Sequence, residues 1–201
     1  EWVTDALDRI AGPGLGGSLL TVADLRSRGI DLRTVTTDIS TRRPHALPMQ
    51  GPDHWFSEAE FRRLFPPRVI DHLLAHCPPA GPLPGEHPGD LRLFRATDGR
   101  MPVVVLVRLS LSFPGLISAV PLWRVDQTLA TPEVVRCLFS DGGLSSNFPV
   151  HFFDTVLPHT PTFGIALDTF DDRREREDQP RKGRIHMPWK PGDGGHLPTH
   201  R

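Results

Sequence analysis

The stretch Val134-Val-Arg-Cys-Leu-Phe-Ser-Asp-Gly-Gly-Leu-Ser-Ser-Asn-Phe-Pro-Val150 decides how the chain is read. Val134 to Phe139 has the β-branched and aromatic content of a strand. It runs directly into Ser140-Asp141-Gly142-Gly143. An aspartate at the C-terminal end of a core strand lies where open α/β sheets gather their chemistry. Two following glycines let the backbone approach a ligand closely or adopt positive φ. Pro149 suits the first turn of a helix beginning there. The plain alternative is a turn, because Asp-Gly is common in turns.

Upstream of this stretch the sequence alternates between helix and strand signals. Trp2, Val3, Ala6, Leu7 and Ile10 have helical spacing, so Trp2 to Ala11 is expected to be a helix ended by Gly12-Pro13-Gly14. Thr21 with Asp24 marks a capped start for Val22 to Arg28, with Gly29 as the stop. Ile30 to Ser40 reads as a strand, with a turn at Ser40-Thr41-Arg42. Ser57 with Glu60 is a capping box for Glu58 to Leu64. Pro66-Pro67 breaks that helix and starts Arg68 to His76. Cys77 to Asp90 reads as loop and Leu91 to Ala96 as a short strand. Met101 to Trp123 is the most apolar run and is expected to hold a buried helix ending at Pro114, then a turn. Arg108 and the interruptions around Pro114 make it unsuitable for a bilayer, where a spanning helix needs about 20 apolar residues. Downstream, Pro161 to Asp168 reads as a strand. The segment 171–201 is polar and rich in Pro and Gly, as a loop or tail would be.

Composition narrows the classes further. Lys+Arg 23 against Asp+Glu 24 gives a net charge of -1, so no global basic field attracts nucleic acid. Cys77 and Cys137 are far apart and match no zinc spacing; two such thiols suggest a reducing, cytoplasmic setting. No signal-peptide pattern is visible at Glu1. The chain opens within a helical pattern, which reads as a cut.

Three other features have ordinary explanations. Gly12-Pro13-Gly14-Leu15-Gly16-Gly17 formally matches G-x-G-x-x-G, but a helix precedes it and Pro13 lacks an amide donor. A flexible linker explains it better than a nucleotide site. His72 and His76 lie one turn apart next to Cys77, yet no third ligand is placed to complete a metal site. The mixed charges of 171–178 read as a solvated segment, and His186, His196 and His200 carry no specific pattern. No cofactor or metal is expected.

Several ordered blocks together resemble the patatin-like phospholipase family. Asp141-Gly142-Gly143 with Asn147 and Pro149 resembles its DGG block and downstream N-x-P. Arg108-Leu-Ser110-Leu-Ser112-Phe-Pro114 is similar to its arginine-serine-x-serine-x-proline helix end. Thr36 to Ser40, Ser118 to Leu122, Ser146 to Asp154 and Pro161 to Ile165 resemble a bacterial subgroup of the family. The resemblance runs from the start of the chain to about residue 170, and 171–201 falls beyond it. It implies a three-layer α/β/α fold with a mostly parallel central sheet, from which N-terminal βα units are missing. It also implies hydrolysis of lipid or acyl-ester substrates by a Ser-Asp dyad, with Asp141 as the aspartate. Lipid substrates lie at interfaces, so peripheral membrane contact fits the resemblance, without a transmembrane segment.

The dyad chemistry follows from elementary considerations. A serine hydroxyl attacks only when a base takes its proton. A carboxylate in hydrogen-bond reach can be that base and can later activate water. Backbone amides of a glycine-rich loop would stabilise the oxyanion. The family's G-x-S-x-G nucleophile elbow, however, occurs nowhere in this chain. It would lie before Glu1, with the oxyanion loop. Ser110, Ser112, Ser145 and Ser146 have the wrong setting for a nucleophile. The chain alone is therefore expected not to turn over esters, and to expose an unpaired sheet edge. A second reading is a non-enzymatic lipid- or protein-binding module in which Asp141 only anchors the turn after its strand. The apolar run Phe113 to Trp123 would be packed core, or line an acyl pocket.

Overall fold

The computed structural model describes residues 1–12, 18–50, 53–95 and 99–145. All of them fall within the unit Glu1–Thr162. The expected helix at Pro149, the strand at 161–168, the tail at 171–201 and most of Gly12–Gly17 lie outside the described residues.

Five of the expected helices form among the described residues, most of them with the expected start signals. α1 is Trp2–Ala11, with Gly12 at its end at φ 86°. α2 is Val22–Ser27, and its Thr21 and Asp24 make both halves of the capping box. α3 is a single turn, Glu58–Phe61, capped by Ser57 Oγ accepting from the Glu60 amide. The Glu60 carboxylate does not close the box. It accepts instead from Trp123 Nε1 at 2.9 Å and Arg136 Nε at 2.7 Å, tying the turn to the sheet. α4 is Pro67–His76, started by Pro67. α5 is Val103–Ser110, four residues short of Pro114.

The sheet corrects the expected architecture. Six strands, β1 Thr34–Asp38, β2 Arg43–Leu47, β3 Trp55–Ser57, β4 Leu91–Leu93, β5 Val120–Asp126 and β6 Glu133–Asp141, form one sheet in the order β2-β1-β6-β5-β3-β4. Every neighbouring pair is antiparallel. The fold is therefore an antiparallel sheet with few helices, and not a three-layer α/β/α fold with a mostly parallel sheet. The short connections explain the difference. Residues 39–42 join β1 to β2, and 127–132 join β5 to β6. A parallel pair needs a crossover of about a dozen residues or more, whereas an antiparallel pair closes through a tight turn. β5 occupies the end of the apolar run that was expected to be helix followed by turn.

The core joins α4 and α5 to the sheet. Phe56, Phe61, Val69, Ile70, Leu106 and Phe139 are all fully buried within one apolar cluster. His45, His54 and Phe139 meet edge to face, with ring centres 5.4–5.6 Å apart. Thr36 links sheet to helix: its buried hydroxyl lies 3.1 Å from Leu109 O and 2.8 Å from Ser140 O. At one border of the sheet, β2 carries exposed Arg43 and Pro44. At the other, segment 78–80 covers β4, with Leu93 N donating to Pro78 O and Ala80 N to Leu91 O, both at 2.9 Å. Among the described residues, no helix is long and apolar enough to cross a membrane.

Candidate functional site

Asp141 is the last residue of β6, paired across the ladder with Thr36 of β1. Its backbone is held from both sides. The amide donates to Ser112 O at 3.1 Å, and Thr37 Oγ1 donates to its carbonyl oxygen at 2.9 Å. Having spent its proton there, Thr37 Oγ1 accepts from Ser145 Oγ at 2.7 Å. The half-buried side chain turns back on its own loop: Oδ1 accepts from the Gly143 amide at 2.6 Å. Asp141 thereby caps a short 3-10 turn, Gly142–Leu144. Among the described residues Oδ2 has no donor.

The two glycines differ in their reasons. Neither has positive φ. Gly142 is buried against β1, where an added Cβ would stand 2.3 Å from Val35 O. The sequence suggests close approach to a ligand; the close approach seen at Gly142 is to the protein's own strand. Gly143 contributes its amide to the aspartate and is exposed.

The end of α5 packs beside this turn. Arg108 donates through Nη1 to Ser112 Oγ and through Nη2 to Ser118, at 2.8 Å to its carbonyl and 3.0 Å to its hydroxyl. Burial pushes this guanidinium down from its ordinary range. Ser112 is fully buried; its hydroxyl donates to Arg108 O at 2.6 Å. Its carbonyl also accepts from Ser140 Oγ at 2.7 Å. Gly115, at φ 85°, turns the loop that follows. That loop exposes Leu111, Phe113, Leu116 and Ile117, with Leu144 also exposed on the 3-10 turn. The expectation of packed core for Phe113 to Trp123 therefore holds only from Val120 onward.

The structure thus gathers Arg108, Ser112, Asp141, Gly142 and Gly143 into one network. Ser110 ends α5 and its hydroxyl bonds to nothing among the described residues. Pro114 is exposed in the loop. Asn147 and Pro149 lie outside the described residues. The sequence gives Thr37 no part in this network, and Ser118, Ser140 and Ser145 stand out there only within longer blocks. The adjacent hydroxyls of Thr36-Thr37 are the available signal, since most buried hydroxyls in a strand find a partner, although buried Thr34 Oγ1 has none among the described residues.

The local chemistry is limited. The hydroxyls of Ser112, Ser140 and Ser145 are each committed to another oxygen, and none reaches the Asp141 carboxylate. Asp38, buried in β1, spends its carboxylate on Ser40 N at 2.9 Å and Thr41 Oγ1 at 2.7 Å, closing the β1–β2 turn. The His72–His76 pair is engaged with backbone and Arg100, with ring centres 4.2 Å apart. No group of three His, Cys, Asp or Glu that could hold a metal ion occurs among the described residues.

Comparison with known proteins adds one relative. The chain is 34% identical over 218 residues to a protein named RpoH suppressor from Rhizobium meliloti (strain 1021). The similarity covers 83% of this chain and 34% of that protein, so the chain spans about a third of the relative's length. No family model matches the chain, and no solved structure matches it.

Proposed function

We propose that this chain contributes the carboxylate half of a patatin-like lipid acyl hydrolase. Asp141 acts as general base toward a serine supplied by sequence outside the chain. The observation that carries the reading is Asp141 itself: its backbone is hydrogen-bonded at both amide and carbonyl at the end of the sheet, while one carboxylate oxygen has no donor among the described residues. A base held in that way can meet an incoming hydroxyl without reorganising. The exposed apolar side chains Leu111, Phe113 and Leu144 beside it suit an acyl substrate. The topological argument for a strand-end site in a parallel sheet does not apply to this antiparallel sheet. The reading therefore rests on the local block around Asp141.

A second reading is favoured by the 2.6 Å bond from the Gly143 amide. Asp141 is then a cap for the 3-10 turn, in a module that binds lipid or protein without catalysis. Asp141→Asn separates the two, because asparagine caps as well as aspartate but is no base. The assay is hydrolysis of a short p-nitrophenyl acyl ester by the longer protein that carries this chain. Loss of about a hundredfold or more in turnover with unchanged thermal stability supports the hydrolase. Unchanged turnover, or no turnover in the parent protein, supports the module. This chain alone is expected to be inactive.

A further inference from the structure

A cleft of about 160 Å³ lies toward the N-terminal half of α5, away from Asp141. Its floor is apolar, formed by Val22, Met49, Phe94, Met101 and Leu106. Two arginines, Arg26 and Arg95, also line it. They are not equivalent. Arg95 is paired with Asp53 at 2.6 Å. The side chain of Arg26 is exposed and makes no hydrogen bond or ion pair among the described residues.

The geometry explains how Arg26 comes to border the cleft. It follows Val22 by one helical turn, so both project from the same face of α2. The start of α2 is clamped to the far wall by Val22 N donating to Met101 O at 3.0 Å and Val103 N to Leu20 O at 2.9 Å. Beneath the guanidinium lies Gly99, at φ 74°. A Cβ there would stand 3.3 Å from Arg26 Nη1 and 3.6 Å from Ala23 Cβ. Glycine thus leaves the approach to the cation open as well as permitting the turn.

An apolar cleft with a few placed polar groups is the usual design of a small-molecule site, and at about 160 Å³ this one would suit only a small ligand. We propose that this cleft binds a short-chain monocarboxylate, its tail on the methionine-lined floor and its head on Arg26. The planar guanidinium offers paired donors that match a carboxylate. The two thioether side chains, Met49 and Met101, can adjust to a flexible tail. The volume corresponds to roughly five waters of liquid, which suits a short tail rather than a long one. The proposal is independent of the role of Asp141.

Hexanoate is the probe, titrated into the 201-residue chain while backbone amide NMR shifts are followed. Saturable shifts are expected in Val22–Ser27 and around Gly99–Val103. Arg26→Gln should weaken hexanoate by about tenfold, as expected for loss of a charge-assisted bond. Arg26→Lys should retain part of the affinity. Hexanol, with the same tail and no charge, should bind the parent no better than it binds Arg26→Gln. The proposal is overturned if those amides do not move, if Arg26→Gln binds hexanoate like the parent, or if hexanol binds the parent as tightly as hexanoate does.

Discussion

A β-carbon on Gly142 would stand 2.3 Å from the carbonyl oxygen of Val35. The β-carbon is fixed by its own Cα and the oxygen is backbone of β1, so neither can swing aside as the end of a flexible side chain would. Gly142→Ala should therefore destabilise the fold by about 3 kcal/mol, the upper range for overpacking. Urea unfolding would show it as a lower midpoint. A midpoint equal to that of the parent would contradict the close approach.

Thr36 makes a different kind of link. Its buried hydroxyl is the polar connection between β1, β6 and the end of α5. Thr36→Val keeps the shape and the strand preference but removes the donor. The expected loss is about 1–2 kcal/mol, from buried carbonyls left short of a partner. Thr36→Ser, which keeps the hydroxyl, should lose less, and equal losses in the two variants would argue against the bond.

Acid should weaken the fold through two histidines. Burial is the main cause holding His45 and His72 below their ordinary value of 6.5. Asp38 partly opposes it at His45, as does the Arg100 carbonyl at His72. In the unfolded chain both titrate near 6.5. Just below that pH the unfolded state binds more protons than the folded one, so stability falls as pH drops and is level above it. Urea midpoints at about pH 7.5 and about pH 5.5 should differ in that direction, and the double variant His45→Gln/His72→Gln should flatten the difference. An unchanged slope in that variant would place the acid sensitivity elsewhere.

Thiol chemistry should report the same core. Burial pushes the Cys77 thiol up to about 12 and raises that of Cys137. Thiolate is the reactive form, so both should resist iodoacetamide in the native protein near neutral pH. In urea two thiols should react at ordinary rates. Rapid native labelling would show that the α4 end or β6 opens readily.

Local signals in the sequence carried most of the helices. The Thr21–Asp24 box, the Ser57 cap and Pro67 act over three or four residues, and each helix starts where they stand. Strand pairing was not legible in the same way. β2 contains Pro44 and charged Arg43, and β3 has only Trp55–Ser57, so neither shows a periodic pattern of useful length. β5 was hidden because an apolar run cannot by itself distinguish helix from strand. Without β2, β3 and β5, the remaining alternation of helix and strand signals reads as a parallel α/β fold. At the candidate site, Asp141 and Gly142 could be picked out from their residue types. How Ser112 and Thr37 anchor it could not, because that depends on contacts between residues 29 and 104 positions apart.

The borders of the sheet limit how this chain can be built into something larger. On one flank a proline and an arginine blunt the outermost ladder, and on the other a short stretch of the chain's own backbone has already taken up the hydrogen bonds. A longer polypeptide would gain little by laying further strands alongside. Attachment through side-chain surfaces, such as the greasy loop after α5, is the easier route, and it would leave the ladder arrangement intact whatever is joined to it.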